Sequence, residues 1–182
     1  GIPGKTGAIP IQNVGAYGQE ASRVIRQVEA LEIKSGQIKI FTNEECGFGY
    51  RSSNFNTIWK NQFVILSVTF SLSKKPSPNL SYVDVAKFFK GKTDPSLEEI
   101  RTAILEIRKG KFPDLSKTGT AGSFFKNLIL DETQYQILKA NLGNNFDQPV
   151  VEKLSEIKDK FPQEKGIKIP TAFLIEICGL KG

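Results

Sequence analysis

An α+β fold in two parts is what this chain predicts, on three observations. Within residues 64–72, Val64, Leu66, Val68, Phe70 and Leu72 alternate with the small polar Ser67, Thr69 and Ser71, as in a half-buried strand. A stretch with two prolines, Ser73-Lys74-Lys75-Pro76-Ser77-Pro78-Asn79, interrupts the chain straight after it. Beyond that break the apolar spacing becomes helical. The prediction is therefore a β-rich piece over 1–72, a linker over 73–79 and a mixed α/β domain over 80–182.

In chain order, the opening residues carry Gly1, Gly4, Gly7, Gly15 and Gly18 with few charges, a composition for loops whose backbone approaches something closely. Arg23 to about Ile33 suits a strand, Ser35-Gly36 a turn and Gln37 to Phe41 a second strand, which together predict a hairpin. The next strand sets Val64, Leu66, Val68, Phe70 and Leu72 against Ser67, Thr69 and Ser71. After the linker, Asp94 as N-cap with Pro95 at the first helical position opens a helix. Its Leu97, Ile100, Ile104 and Ile107 share a face, and Gly110 closes it. The run from Ser123 to Leu130 is short, apolar and predicted as a strand. Asp131 and Gln134 resemble a capping box for a helix ending near Gly143. A further helix from about Val150 to Lys160 puts Val151, Leu154 and Ile157 on one stripe, and a short last one follows Pro170.

With 39% hydrophobic and 24% charged residues the 182-residue chain has an ordinary globular balance. It has no histidine, and its two cysteines, Cys46 and Cys178, stand far apart, so neither a zinc site nor a disulfide framework is expected and both are read as reduced thiols. No apolar run approaches the roughly 20 residues that span a membrane, and no basic leader precedes one, so the expectation is a cytoplasmic chain without a membrane partner. The net charge of +6 suits nucleic acid, a phosphorylated cofactor or a nucleotide sugar, and selects none of them. The lysines are spread through helices and turns, which favours a solvated basic surface over a nucleic-acid patch. The lack of Met, even at position 1, and the abrupt ends are those expected of an internal piece of a longer chain.

Three separated segments carry candidate chemistry. The first is Ile2-Pro3-Gly4-Lys5-Thr6-Gly7-Ala8-Ile9-Pro10-Ile11-Gln12-Asn13-Val14-Gly15-Ala16-Tyr17-Gly18. Its glycines leave backbone amides free to donate to anionic oxygens. Its glycine spacing is not that of a P-loop, and on spacing alone it suits ordinary turns as well as a ligand. The second is Cys46-Gly47-Phe48-Gly49-Tyr50-Arg51-Ser52-Ser53, where an Arg held by its neighbours can be aimed rigidly at a carboxylate and, without the motif, would be read as a surface salt bridge. The third is Ala121-Gly122-Ser123-Phe124-Phe125-Lys126-Asn127. A hydroxyl such as that of Ser123 is a poor acid unless its conjugate base is stabilised, and a lone Ser before a strand is ordinarily a turn or cap residue.

Together these strings resemble the UDP-N-acetylenolpyruvoylglucosamine reductases, in the order in which that family carries them. The resemblance implies that the chain is the C-terminal part of an FAD-binding α+β domain followed by a mixed α/β substrate-binding domain. It implies FAD and NADPH as cofactors, a nucleotide-sugar substrate, no nucleic acid, and a monomer. Carried over position by position, Gly4, Gly7, Gln12, Asn13, Gly15, Ala16, Tyr17 and Gly18 would line the flavin. Arg51 would face the enolpyruvyl carboxylate, with Tyr50 beside the substrate, and Ser123 would donate the proton. Lys111, in Gly110-Lys111-Phe112-Pro113-Asp114, resembles the family's lysine that contacts the diphosphate and helps seat NADPH; otherwise it is a helix C-terminal cation. Tyr82 resembles the tyrosine of the closing loop in the longer of the family's two types, and Asn127 a further substrate position. Lys5 stands at a variable position, and Ile177 replaces a residue that is polar in some members. The first half of the flavin site is expected before Gly1, and an acidic catalytic partner beyond Gly182. Another FAD-dependent oxidoreductase sharing the flavin half, or a basic non-enzymatic binding module, are the alternatives.

Overall fold

In the computed structural model the described residues are 2, 4–111, 113–114, 116–119, 124–160 and 166–180. They form an α+β structure in two compact units, Gly1–Thr120 and Ala121–Gly182. Ser123, the predicted proton donor, lies outside the described residues.

The glycine-rich opening is a loop with a single short 3₁₀ turn at Thr6–Ala8, followed by a miniature hairpin of β1 (Gly15–Ala16) and β2 (Gln19–Glu20). Tyr17 and Gly18 make its two-residue turn, both at positive φ (53° and 74°), as the twist of a tight hairpin demands. The main sheet has the order β4-β3-β5 and is antiparallel throughout. Its strands are β3 (Ile25–Glu32), β4 (Ile38–Thr42) and β5 (Phe63–Phe70). The predicted hairpin is present, turning where Gly36 takes φ 69°.

The alternation expected along β5 fails at one point. Glu29 pairs with Ser67 while Ala30 pairs with Ile65, so Leu66 is an extra, bulged residue. Before the bulge the inward residues are Phe63 and Ile65, after it Val68 and Phe70. Val64 and Leu66 consequently face out, and Leu72 lies beyond the strand end, exposed. A period of two cannot reveal one inserted residue, because the strings on either side of it are each regular.

Under the sheet, Ile25, Val28, Ala30, Phe41, Cys46 and Phe55 form the buried core. Phe41, Phe55, Trp59 and Phe63 meet in edge-to-face and tilted pairs with centroids 4.5–6.3 Å apart, each such pair adding about 0.5–1.5 kcal/mol beyond area burial. Burial pushes the Cys46 thiol up to about 11, whereas Cys178 is exposed. At about pH 8 a thiol reagent should therefore label one cysteine in the folded chain and the second only on unfolding, since the thiolate is the nucleophile. Two fast-reacting thiols in the native chain would contradict this packing.

The stretch 73–79 has no regular secondary structure, bends at Lys74–Lys75 and is exposed as far as Pro78. It lies inside the first compact unit, because Tyr82, just after it, packs edge-on against Tyr17 at 5.2 Å between centroids. Next come α1 (Val83–Phe88), a short helix without a counterpart in the sequence reading, and α2 (Leu97–Lys111). Ser96, not Asp94, caps α2: its hydroxyl accepts from the Glu99 amide at 3.2 Å while the Glu99 carboxylate accepts from the Ser96 amide at 2.9 Å. Leu97, in the first turn, is exposed, and Ala103 with Ile100, Ile104 and Ile107 packs against Val85 and Phe89. The helix also runs past Gly110 to Lys111.

In the second unit β6 (Leu128–Leu130) pairs antiparallel with β7 (Ile167–Ile169). The predicted strand from Ser123 is thus confined, among the described residues, to its last three positions. The capping box that opens α3 (Glu132–Asn145) is present, with Asp131 accepting from the Gln134 amide at 2.8 Å and Gln134 returning the bond at 3.0 Å. Helices α4 (Gln148–Lys160) and α5 (Thr171–Ile177) close the unit over Tyr135, Leu142, Leu154, Ile157, Ile169 and Phe173. α5 ends in a Schellman motif: Gly179 takes φ 74°, its amide meets the Glu176 carbonyl and the Leu180 amide meets that of Ile175. Among the described residues no helix is long and apolar enough to cross a membrane.

Candidate active site

The first two motifs converge in the first unit. Gly49 and Ser52 exchange backbone hydrogen bonds, 3.0 and 3.2 Å, so Tyr50 and Arg51 form the two-residue tip of a tight turn. Arg51 sits there at φ 51°, a left-handed position that glycine ordinarily fills and that costs another residue about 1–2 kcal/mol. Its guanidinium is held twice: Nη2 donates to the Gly15 carbonyl at 2.7 Å, and its centre lies 5.2 Å from the middle of the Tyr50 ring. Backbone strain kept beneath a side chain so firmly held makes Arg51 a candidate functional residue.

Arg51 opens into a cavity of about 380 Å³ that it shares with Ile2, Gly4, Lys5, Thr6, Ala8, Ile9, Gln12, Val14 and Gly15. That volume is at the small end of ligand pockets, roughly 300–1,000 Å³, room for part of a dinucleotide. The wall chemistry suits such a group: aliphatic sides from Ile2, Ile9 and Val14 for a flat ring, a hydroxyl from Thr6, and cations from Lys5 and Arg51 for anionic oxygens. Gly4 is held at φ 123°, accessible in practice only to glycine. Neither Lys5, at a variable position of the family, nor Thr6 has a role implied by the resemblance, although their place between Gly4 and Gly7 puts them in the same loop.

The other predicted flavin residues are placed differently. Gly7 does not line the cavity; its backbone rests near Ile65 of β5. Ala16 is paired with Gln19 in the small hairpin. Asn13 is 1% exposed and its side chain is bonded inside the fold. Tyr17 turns to Tyr82, and Asn79 donates weakly to the Gly18 carbonyl at 3.5 Å, so the candidate flavin loop and the candidate substrate tyrosine touch. Lys111, the last residue of α2, bonds Asp84 at 2.5 Å. The Asp84 carboxylate beside it holds the ammonium above the ordinary lysine range. In the second unit Asn127 accepts from the Thr171 amide at 3.2 Å, satisfying a free N–H at the start of α5.

Ser53 is the functional neighbour that sequence reasoning left without a task. Fully buried, it donates from Oγ to the Ile11 carbonyl at 2.8 Å and accepts from the Phe55 amide at 3.1 Å. It thereby ties the Arg51 turn to the glycine-rich loop.

No family model matches the chain. Similarity to individual proteins is extensive. The chain is 39% identical over 184 residues to a UDP-N-acetylenolpyruvoylglucosamine reductase of Flavobacterium johnsoniae, covering all of this chain and 51% of the relative. It is 41% identical over 184 residues to the protein of that name in Amoebophilus asiaticus and 37% over 186 to that in Burkholderia multivorans, covering 50% of each. Among solved structures it is similar to UDP-N-acetylenolpyruvylglucosamine reductase of Thermus caldophilus, at 23% identity and a TM-score of 0.44, over 70% of this chain and 38% of that one. The chain spans about half the length of the curated relatives it matches. Along its whole length, then, this chain is similar to the UDP-N-acetylenolpyruvoylglucosamine reductases.

Proposed function

We propose that the chain is part of an oxidoreductase that uses FAD and NADPH to reduce the enolpyruvyl group of UDP-N-acetylglucosamine enolpyruvate to the lactyl ether of UDP-N-acetylmuramate, a step of peptidoglycan precursor synthesis in the cytoplasm. In this reading 1–72 belongs to the flavin-binding domain and 80–182 to the substrate-binding domain, joined by 73–79, in a monomer of the longer, closing-tyrosine type. The observation that carries it is Arg51, strained and fixed on the Gly15 carbonyl, at the wall of a cavity built from the glycine-rich loop.

When bound, FAD would supply hydride transfer from NADPH to the alkene. The residues that would hold it are those of the cavity, with Thr6 and Gln12 as hydrogen-bonding groups and Lys5 offering charge to anionic oxygens. Arg51 would bind and orient the substrate carboxylate, and its fixed charge would stabilise the negative charge that spreads onto that carboxylate as the alkene is reduced. Ser123 would deliver the proton to the carbon next to the carboxylate. Lys111 would take up the diphosphate, exchanging Asp84 for phosphate oxygens, and Tyr82 would cover the nucleotide sugar, starting from its contact with Tyr17.

The test is oxidation of NADPH that depends on the enolpyruvyl nucleotide sugar. The full-length gene product should be yellow and show it. The 182 residues alone, matching only half of each relative, should bind FAD weakly or not at all and show no turnover. A yellow, NADPH-oxidising preparation of these residues would contradict the division of the site proposed here.

A further inference from the structure

We propose that Asn13 is a positioning residue, which sets the Tyr50–Arg51 turn from inside the fold and does not touch the cofactor. The inference rests on the reading of Arg51 given under Proposed function, and it reassigns a residue that the family resemblance would place against the flavin.

A side-chain amide has two N–H donors and one carbonyl acceptor. Both donors of Asn13 are used: Nδ2 gives one to Glu20 Oε2 at 3.0 Å and one to the Gly49 carbonyl at 3.1 Å. Oδ1 accepts from the Ser22 amide at 2.9 Å. These partners fix which end is nitrogen, since an amide must donate to Oδ1 while a carbonyl and a carboxylate must accept. With 1% of the residue exposed, no donor remains for a ligand and no surface through which one would reach it.

What the amide does hold is the base of the turn. The Gly49 carbonyl accepts from Ser52 N within the turn and from Asn13 Nδ2 beneath it, using both lone pairs. Ser22, the third partner, is itself tied down, its carbonyl accepting from Asn43 Nδ2 at 2.7 Å. The turn that aims Arg51 at a strained φ is therefore seated on Asn13 one residue from its tip. Glu20, which accepts from Asn13, is the strand partner of Gly15, the residue on whose carbonyl the guanidinium rests. Asn13 itself is at φ 45°, a backbone region that asparagine enters more readily than most residues.

Asn13→Gly removes the three bonds while remaining at ease with that φ. In the full-length gene product it should lower kcat by about 10- to 100-fold, the scale of an ångström of misplacement in an aiming group. The FAD dissociation constant should stay within about two-fold of wild type, the spread expected of sites that do not interact. Combined with Arg51→Lys it should add no more than about two-fold to the loss from Arg51→Lys alone, because both changes act through one guanidinium. Hydrogen exchange of the 182-residue chain should show the Ser52 amide released in Asn13→Gly. If that variant does not fold, Glu20→Ala, which removes one of the three partners from the partly exposed side, should show the same non-additivity with a smaller loss.

A multiplicative loss in the double variant, a fall in FAD affinity matching the fall in kcat, or unchanged Ser52 protection would each overturn the proposal. If wild type itself shows no substrate-dependent NADPH oxidation, the reading of the reaction fails and the role given to Asn13 fails with it. The exchange experiment then still reports separately whether Asn13 seats the turn.

Discussion

Arg51→Gly in the full-length gene product is expected to lower kcat by about 10²- to 10³-fold, about 2.7–4 kcal/mol, the cost found when a preorganised donor to developing negative charge is removed. Arg51→Ala should lose as much, and Arg51→Lys nearly as much, since an ammonium keeps the charge but not the planar pair of donors that meets a carboxylate. Folding should separate the first two. At φ 51° alanine retains the left-handed strain and glycine does not, so the glycine variant should be more stable than the alanine variant by about 1 kcal/mol. Both forfeit the bond to the Gly15 carbonyl and the stacking on Tyr50. Equal stability would mean that the turn relaxes once the guanidinium is gone. Full activity in Arg51→Gly would remove the ground for the proposed reaction.

Much of the fold was legible because local chemistry settles it. Asp131 with Gln134 makes a helix start that two reciprocal bonds define, and Ser35-Gly36 makes a turn with one residue at positive φ. What escaped depends on position in space or on competition between neighbours. Asp94-Pro95 and Ser96 both offer a helix start, and the choice falls to Ser96 because Glu99 stands three residues on and returns the bond. The bulge at Leu66 is set by pairing with β3, which no string along β5 records. β7 has three residues, too few for any period to show, and exists through β6.

The candidate site divides in the same way. Gly4, Gln12, Gly15 and Arg51, to which the family resemblance gives ligand roles, line one cavity. That Asn13 faces inward and Tyr17 faces Tyr82 does not follow from the resemblance, because a motif gives spacing along the chain and burial is decided by partners such as Gly49, 36 residues away. A glycine-rich loop thus holds two kinds of residue under one signature, those that border the cavity and those that shape the border.

Gly15 and Gly7 show the difference in a form that can be measured, and Gly15→Ala is expected to cost about 1–3 kcal/mol of stability as an overpacked site does. A Cβ on Gly15 would stand 2.6 Å from the Gln19 carbonyl oxygen, 2.9 Å from Glu20 Cγ and 3.1 Å from Arg51 Nη1. The first of these is backbone in the paired strand β2, so the small hairpin has to shift, and the carbonyl that holds Arg51 belongs to the substituted residue. Activity should therefore fall together with the melting temperature. On Gly7 the nearest atoms would be 3.7 and 3.9 Å away, ordinary contact with Ile65. Gly7→Ala should stay within about 1 kcal/mol of wild type, or gain a few tenths from a less flexible unfolded chain. Thermal melts of the two variants, with kcat measured on each, decide the matter. Equal losses at the two positions would mean that the loop needs glycine for a ligand or a motion, and that the crowding around Gly15 is not what selects it.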